Sequence, residues 1–345
     1  MKLPTLSLSR PLLDWLRNDS QWPNQDWRMR VALNWRAGLA SLNQRLSEAQ
    51  PTTAQELAPL LILGPWRSGT TVMHELLTAA LGWPTPQTWQ CMDATAFRLG
   101  GTPHRAATVA RPMDGLPLGP LSPQEDEFAL LSMGINSAYR SFWMPHRIPE
   151  LHATLDQRHW LDDPRWIEPW ESFLRAVAKG SEELILKSPN HTFRLQAILQ
   201  RFPKARIVWM LRDPLAIFLS NRKMWGQMFA EHGLSKPDGA ELDQFLTRAL
   251  EASAEALDWA QNHVAPERVV CCSQEALQRQ PMAQILRVLA HLGLPANEAR
   301  LEQAIAHTQS GRVEHHADEI PPMALAAVNR LRATQVAMER PSTNT

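Results

Sequence analysis

The chain has 345 residues, of which 44% are hydrophobic and 20% are charged. This composition supports a substantial apolar core and excludes a disordered chain. Lysine and arginine together number 35, as do aspartate and glutamate, so the formal net charge is zero. A balanced charge predicts no general basic surface for nucleic acid or for an anionic membrane.

The cysteines and the N-terminal segment indicate the cellular compartment in which the protein is expected. Cys91, Cys271 and Cys272 are too few for a disulfide framework, which is typical of a reducing environment. The N-terminal segment lacks the apolar core of a signal peptide, and no run of about 18 apolar residues could span a bilayer. We therefore expect a cytoplasmic protein without a transmembrane segment.

Strands and helices are predicted to alternate along most of the chain. Short apolar runs predict four buried strands, at 60–63, 184–186, 206–211 and 268–271. Apolar residues at helical spacing follow each strand, and helices are expected from Thr70 onward and at 190–201, 215–230, 240–263, 274–292 and 296–308. Strands that alternate with helices form parallel sheets with right-handed crossovers. The expected fold class is α/β, with a parallel central sheet flanked by helices.

One large domain with added segments is predicted, because no clean linker interrupts the chain. Residues 1–57 are expected to form an N-terminal helical extension, and residues 58–312 the domain itself. A tryptophan-rich helical insert is expected at about 120–180, and residues 313–345 are expected to form a polar C-terminal tail.

An anion-binding loop is predicted between the first strand and its helix, with the sequence Gly64-Pro65-Trp66-Arg67-Ser68-Gly69-Thr70-Thr71. Backbone N–H groups converge at such a place, and Gly69 allows a close approach. The guanidinium of Arg67 can bind phosphate or sulfate, and hydroxyl donors are Ser68, Thr70 and Thr71. The glycine spacing is that of a nucleotide triphosphatase phosphate loop, but Thr70 replaces the expected lysine. An ordinary glycine-containing turn remains the alternative.

This loop resembles the 5′-phosphosulfate loop of sulfotransferases that use PAPS (3′-phosphoadenosine 5′-phosphosulfate), which is typically P-[KR]-S-G-T-T. In that family an arginine at a strand end and a serine eight residues later bind the donor's 3′-phosphate. Arg212 and Ser220 have this spacing after the third predicted strand. Eight residues are about two helical turns, so both side chains can reach one phosphate. The alternative interpretation is that Arg212 and Asp213 form a capping pair and that Ser220 packs against the sheet.

Two further segments resemble the bacterial branch of the same family. Leu184–His191 is similar to its L-K-[ST]-P-x-H segment, and Ser122–Phe128 is similar to its S-P-Q-E-D-E-F stretch. The resemblance covers about residues 60–292. It implies a P-loop-like sulfotransferase fold, PAPS as co-substrate, and sulfuryl transfer to a hydroxyl or amine of a small-molecule acceptor.

The resemblance also implies roles for the basic residues. Arg67 and Lys187 would stabilise charge on the transferring group, so that no metal ion is required. Thr70, Thr71 and backbone N–H groups would hold the 5′-phosphate. Arg312 lies where sulfotransferases often supply a late basic contact to the 3′-phosphate.

The general base is the least defined part of the expected site. Cytosolic sulfotransferases carry a histidine two residues after the lysine, where this chain has Pro189. We rank Glu127 first among the candidates, then His191. Glu125 comes last, because a capping box with Ser122, three residues earlier, would already explain it.

Other classes of function remain open from the sequence. A P-loop kinase or NTPase must do without the loop lysine, and only Asp213 resembles a Mg²⁺-holding acid. A catalytically inactive nucleotide-binding scaffold is a second alternative, suggested by Pro189. The N-terminal tryptophan-bearing helices could also lie on a membrane. The acceptor and the oligomeric state are not predicted.

Overall fold

The computed structural model describes residues 9–22, 27–48, 56–103, 108–110, 117–307 and 320–339. Its strands are β1 (Leu60–Leu63), β2 (Val109–Ala110), β3 (Pro117–Leu118), β4 (Ile185–Lys187), β5 (Arg206–Leu211) and β6 (Val269–Ser273).

The α-helices in these residues are α1 (Arg10–Arg17), α2 (Trp27–Glu48), α3 (Thr70–Leu81), α4 (Thr88–Met92), α5 (Ala94–Arg98), α6 (Glu127–Ser132), α7 (Gln157–Asp162), α8 (Ile167–Ala178), α9 (Leu195–Arg201), α10 (Pro214–His232), α11 (Gly239–His263), α12 (Gln274–Arg279), α13 (Pro281–His291), α14 (Glu298–His307) and α15 (Pro322–Glu339). Short 3₁₀ helices lie at Ala138–Phe142, Pro145–Leu155, Pro164–Trp166, Pro189–Arg194 and Pro266–Arg268. None of these helices is long and apolar enough to cross a membrane.

The central sheet has four parallel strands in the order β4-β1-β5-β6, which confirms the predicted α/β class. Alternate side chains of each strand face opposite sides. Leu60 and Ile62 pack with Met73 of α3 on one side, while Leu61 packs with Trp170 of α8 on the other. Both faces of the sheet are therefore covered by helices, as a parallel sheet requires.

The strand order predicts which edge of the sheet binds ligands. The chain enters at β1, adds β4 on one side, and then crosses to β5 on the other side of β1. Ligands of open α/β sheets bind beyond the carboxyl ends of the strands where this change of direction occurs. The segments that follow β1, β4 and β5 therefore meet at one edge, with Leu63 of β1 in register with Trp209 of β5.

Two expectations about the outer segments need correction. The expected C-terminal tail contains α15, which buries Ala324, Ala327, Val328 and Leu331 against α11. These four residues have the spacing of the apolar side of an amphipathic helix. The polar residues around them led to the expectation of a tail. The proline and glycine content of segment 82–121 predicts irregular structure, but the segment includes the short helices α4 and α5. The domain boundaries at 57 and 312 stay a prediction.

Candidate functional site

The loop after β1 has a backbone that depends on its glycines. Gly64 has a φ of +132°, and an added Cβ would lie 2.8 Å from the carbonyl oxygen of Met210. Gly69 has a φ of +94° and precedes α3 directly. Ser68 donates its hydroxyl to the carbonyl oxygen of Pro65 at 2.7 Å, which closes the turn. The loop therefore curls at the N-terminus of a 12-residue helix, a place that favours anions.

Trp66 stands where the resembled loop usually has proline, and the structure gives it a packing role. Its ring lies 5.2 Å from the ring of Phe193, 5.5 Å from that of Trp225 and 6.1 Å from that of Phe245. Its carbonyl oxygen accepts a hydrogen bond from Asn221 at 2.9 Å. The loop that follows β1 therefore also contacts α10 and α11.

Arg67, Arg212 and Ser220 meet beyond the ends of β1 and β5. The Nε of Arg67 donates to Ser220 Oγ at 3.0 Å, and Arg212 donates to the carbonyl oxygen of Arg67 at 2.6 Å. Burial, and then the nearby charge of Arg67, lower the pKa of Arg212 below its usual value. Arg67 and Arg212 both contribute a guanidinium group at this place, and such groups attract anions. The sequence predicts these residues for two phosphate sites, and in the structure they contact one another.

Lys187 ends β4 beside the same loop. Its Nζ lies 2.6 Å from Glu125 Oε1 and donates to Thr71 Oγ1 at 3.4 Å. Thr71 belongs to the first turn of α3, so the lysine connects the segment of Glu125 to the end of the loop after β1. Lys187 is almost fully buried, and its charge is compensated by the carboxylate of Glu125.

Glu125 does not form the expected capping box. The helix begins only at Glu127, and Ser122 Oγ accepts from the backbone N–H of Gly119 at 2.9 Å. The carboxylate of Glu125 instead pairs with Lys187 and accepts a 2.6 Å hydrogen bond from the hydroxyl of Tyr139. The capping interpretation was wrong because two distant side chains, which local spacing cannot show, bind this carboxylate.

Tyr139 donates a hydrogen bond from its hydroxyl to Glu125. Burial and the adjacent Glu125 carboxylate raise the pKa of Tyr139 well above its usual value, so the phenol stays protonated. The ring of Tyr139 stacks on Phe142 at 4.9 Å. This tyrosine is the only one in the chain. No sequence motif singles it out, and its rarity is the one signal that could have drawn attention to it.

Glu127 lies inside the insert and contacts the guanidinium of Arg194. Both side chains are fully buried, and the guanidinium lies 4.5 Å from the ring centre of Trp160. Burial raises the pKa of Glu127, while the charge of Arg194 opposes that rise. The carboxylate ranked first as base therefore forms one half of a buried ion pair. Arg194 was not singled out from the sequence.

His191 is also fully buried, and it faces Asp126. Its Nε2 lies 2.8 Å from Asp126 Oδ2, which accepts a 2.6 Å hydrogen bond from Trp170. Burial acts to raise the pKa of Asp126, but His191, Trp170 and Arg194 hold it below its usual value. This network connects the insert to the segment after β4. Among the three base candidates, Glu125 alone is paired with Lys187 and retains 8% exposure.

The remaining expected residues are placed as follows. Thr70 is the buried first residue of α3, and Arg312 lies outside the described residues. Within the described part of the chain, no group of three or more histidine, cysteine or acidic side chains could hold a metal ion.

Comparisons with known proteins identify the family. A sequence profile of the sulfotransferase family matches residues 59–298. The chain belongs to the sulfotransferase family. It is 31% identical over 260 residues to the omega-hydroxy-beta-dihydromenaquinone-9 sulfotransferase Stf3 of Mycobacterium bovis. That alignment covers 72% of this chain and 66% of the relative, just under two thirds of its length.

Solved sulfotransferase structures share the fold. The chain matches sulfotransferase STF9 from Mycobacterium avium with a TM-score of 0.65 and 19% identity, over 94% of this chain and 88% of that one. It matches STF1 from Mycobacterium tuberculosis with a TM-score of 0.57 and 16% identity, over 95% and 90% of the two chains. These likenesses confirm the predicted P-loop-like sulfotransferase architecture.

Proposed function

We propose that this sulfotransferase family member moves a sulfuryl group from PAPS to a hydroxyl group of a small, largely apolar acceptor. The observation that carries the proposal is the contact of Arg67 with Ser220 and Arg212 beside the loop after β1. This cluster supplies two guanidinium groups and a hydroxyl at the edge where α/β sheets bind ligands.

The residues present fit the anionic groups of PAPS. Arg212 and Ser220 would bind the 3′-phosphate, while the loop backbone at Gly69 and the hydroxyl of Thr71 would bind the 5′-phosphosulfate. Arg67, which contacts Ser220, carries positive charge toward both groups. Charge-assisted hydrogen bonds of this kind are the strong ones in anion sites.

Glu125 is our proposed general base. When bound, PAPS supplies a sulfuryl group attached to its 5′-phosphate. The acceptor hydroxyl gives its proton to the carboxylate of Glu125 as its oxygen bonds to sulfur. The bond from sulfur to the 5′-phosphate oxygen breaks, and 3′,5′-ADP keeps the electron pair. Lys187, paired with Glu125, and Arg67 place positive charge where the negative charge of the leaving phosphate develops.

An apolar acceptor is supported by two observations. The ring of Phe128 lies 5.5 Å from that of Tyr139, so aromatic surface adjoins the tyrosine that holds Glu125. The relative named above acts, by its name, on a hydroxylated dihydromenaquinone, which is an apolar alcohol. Apolar walls with few polar groups are typical of such pockets.

The kinase alternative is weakened by Asp213. This acid caps α10 through the backbone N–H of Ala216 at 2.9 Å, and it pairs with Arg332 of α15 at 2.8 Å. It was the only acid that the sequence suggested for Mg²⁺, and both of its oxygens have protein partners. Cytoplasmic location stays a prediction.

The proposal is tested first by nucleotide binding. The thermal unfolding temperature should rise clearly with 3′,5′-ADP, because a ligand that binds only the folded state stabilises it. ATP with Mg²⁺ should raise it much less. Calorimetric titration of both nucleotides gives the affinities directly. Equal or tighter binding of ATP with Mg²⁺ would support the kinase alternative and contradict our proposal.

A further inference from the structure

Helix α2 has apolar side chains on two sides. Its inner side buries Leu33, Ala37 and Ala40. Its outer side exposes six large apolar residues, Trp27, Val31, Trp35, Leu39, Leu42 and Leu46. Trp27 and Trp35 are each 69% exposed, although tryptophan side chains are on average highly buried. We call these six residues the outer face of α2.

The outer face is a continuous stripe. At about 100° per residue, its six side chains fall within an arc of about 120°, opposite the inner side. The stripe runs from Trp27 to Leu46, nearly the whole length of the 22-residue helix. Scattered apolar residues on a surface need no explanation, but a contiguous row of this length marks an interaction surface.

The charges of α2 are almost all positive. The helix contains four arginines and one acid, Glu48, so its net charge is four minus one, or +3, in a chain of zero net charge. Arg28 and Arg45 are both exposed and lie within the arc of the outer face, close to its N-terminal and C-terminal ends. The guanidinium of Arg28 lies 5.5 Å from the ring centre of Trp27.

We propose that the outer face of α2 binds the surface of an anionic phospholipid bilayer, with the helix lying in the plane of the interface. Leucine and valine side chains would enter the boundary of the acyl chains, and the tryptophan rings would lie at the headgroup level. Arg28 and Arg45, at the two ends of the outer face, would bind lipid phosphates. This combination of an apolar stripe, tryptophan and arginine is the chemistry that interfacial helices use.

The charges favour a bilayer over a second copy of this chain. Isologous contacts place the same patch of both copies together. An antiparallel pair of outer faces would bring Arg28 of each copy toward Arg45 of the other, and like charges at a contact oppose binding. An anionic membrane meets the same arginines with opposite charge.

The place of α2 in the fold gives this surface a use, and that step rests on the proposed function. Helix α2 packs against α5, and α5 packs against α6, which begins two residues after Glu125. Its inner side shares an apolar cluster with Tyr139, the partner of Glu125. A bilayer bound to α2 would hold the candidate site close to an acceptor dissolved in the membrane.

Vesicle sedimentation with the full chain tests the docking, without PAPS or any acceptor. The protein should bind vesicles of phosphatidylcholine with phosphatidylglycerol, and added salt should weaken this binding. Trp35→Gln/Leu42→Gln should weaken it by about 10-fold or more, because two apolar side chains leave the interface. The matched control is Met323→Gln/Leu325→Gln on α15, where two comparably exposed residues are changed. The control should bind as the unaltered protein does.

A second variant measures the contribution of charge to vesicle binding separately from that of apolar burial. Its folding is checked in the same experiment. Arg28→Gln/Arg45→Gln should weaken binding to the anionic vesicles by several-fold, while circular dichroism and the thermal unfolding temperature stay unchanged. Failure of the unaltered protein to bind these vesicles would overturn the proposal. So would equal binding by the α2 variant and its α15 control, or a dimer in solution that Trp35→Gln/Leu42→Gln dissociates without vesicle binding. A lack of sulfuryl transfer would leave the docking result intact, so the two proposals fail separately.

Discussion

The ammonium group of Lys187 lies 2.6 Å from Oε1 of Glu125, although 62 residues separate the two along the chain. The pair joins the end of β4 to the segment before α6, beside the N-terminus of α3. A carboxylate in this position can take a proton next to the cation that we propose stabilises the leaving group. Contact with Lys187, rather than local sequence, is the reason that we propose Glu125 over the other two candidate bases.

Glu125→Gln should lower turnover by about 10²–10⁴-fold, because a general base typically contributes that much. Glutamine still accepts the hydrogen bond of Tyr139, so the affinity for 3′,5′-ADP should change little by calorimetric titration. Glu171→Gln is the matched control, since Glu171 pairs with Arg175 and Arg201 away from the site. Normal turnover in Glu125→Gln would show that another group takes the proton.

Glu127→Gln should act on stability instead. The change leaves the guanidinium of Arg194 buried without its counter-charge, which typically costs about 3–5 kcal/mol of the free energy of unfolding. Urea unfolding measures this loss, and turnover of the folded enzyme at low temperature should remain near normal. Glu127→Leu/Arg194→Met should recover part of the stability, because it removes both charges. A fall of 10²-fold or more in turnover of fully folded Glu127→Gln would make Glu127 the base.

Arg212→Ala should weaken binding of 3′,5′-ADP by about 2–4 kcal/mol through the loss of charge-assisted bonds to the 3′-phosphate. Binding of 5′-AMP, which lacks that phosphate, should change much less. Arg206→Ala, at the opposite end of β5, is the control and should affect neither nucleotide. If Arg212→Ala weakens both nucleotides alike, the arginine has a structural role only.

His74 should make stability depend on pH. Burial, and then the charge of Lys187, lower the pKa of His74 from 6.5 to about 3 in the folded protein. The unfolded chain therefore binds more protons between these values, and the free energy of unfolding falls as the pH falls, by up to about 1.4 kcal/mol per unit. His74→Gln should lose this part of the slope, measured by urea unfolding across that window. Identical slopes in both proteins would contradict the assignment.

The sequence predicted the parts of the site that depend on local pattern. Arg67, Gly69 and Arg212 follow buried strands, and the carboxyl ends of parallel strands share one edge, so their proximity follows from the fold. Ser220 is fixed by its distance along a helix from Arg212. The exposed outer face of α2 was open to prediction in the same way, because helical spacing alone defines it.

The partners of the acidic segment could not be predicted from the sequence. Ser122 and Glu125 have the spacing of a capping box, and only tertiary contacts with Lys187 and Tyr139 overrule that pattern. Glu127 lies two residues further on, yet it turns into the insert toward Arg194. Glu125 and Glu127 are close in sequence, yet they have different roles because each is bound by residues that are distant in the chain.

The central claim is tested most directly by following sulfur from labelled PAPS in the presence of EDTA. With a hydroxylated apolar acceptor such as a long-chain alcohol, we expect a sulfated product and an equal amount of 3′,5′-ADP. On our proposal, Arg67 and Lys187 supply the charge that Mg²⁺ supplies in kinases. The contrary result would be no transfer from PAPS together with Mg²⁺-dependent phosphoryl transfer from ATP.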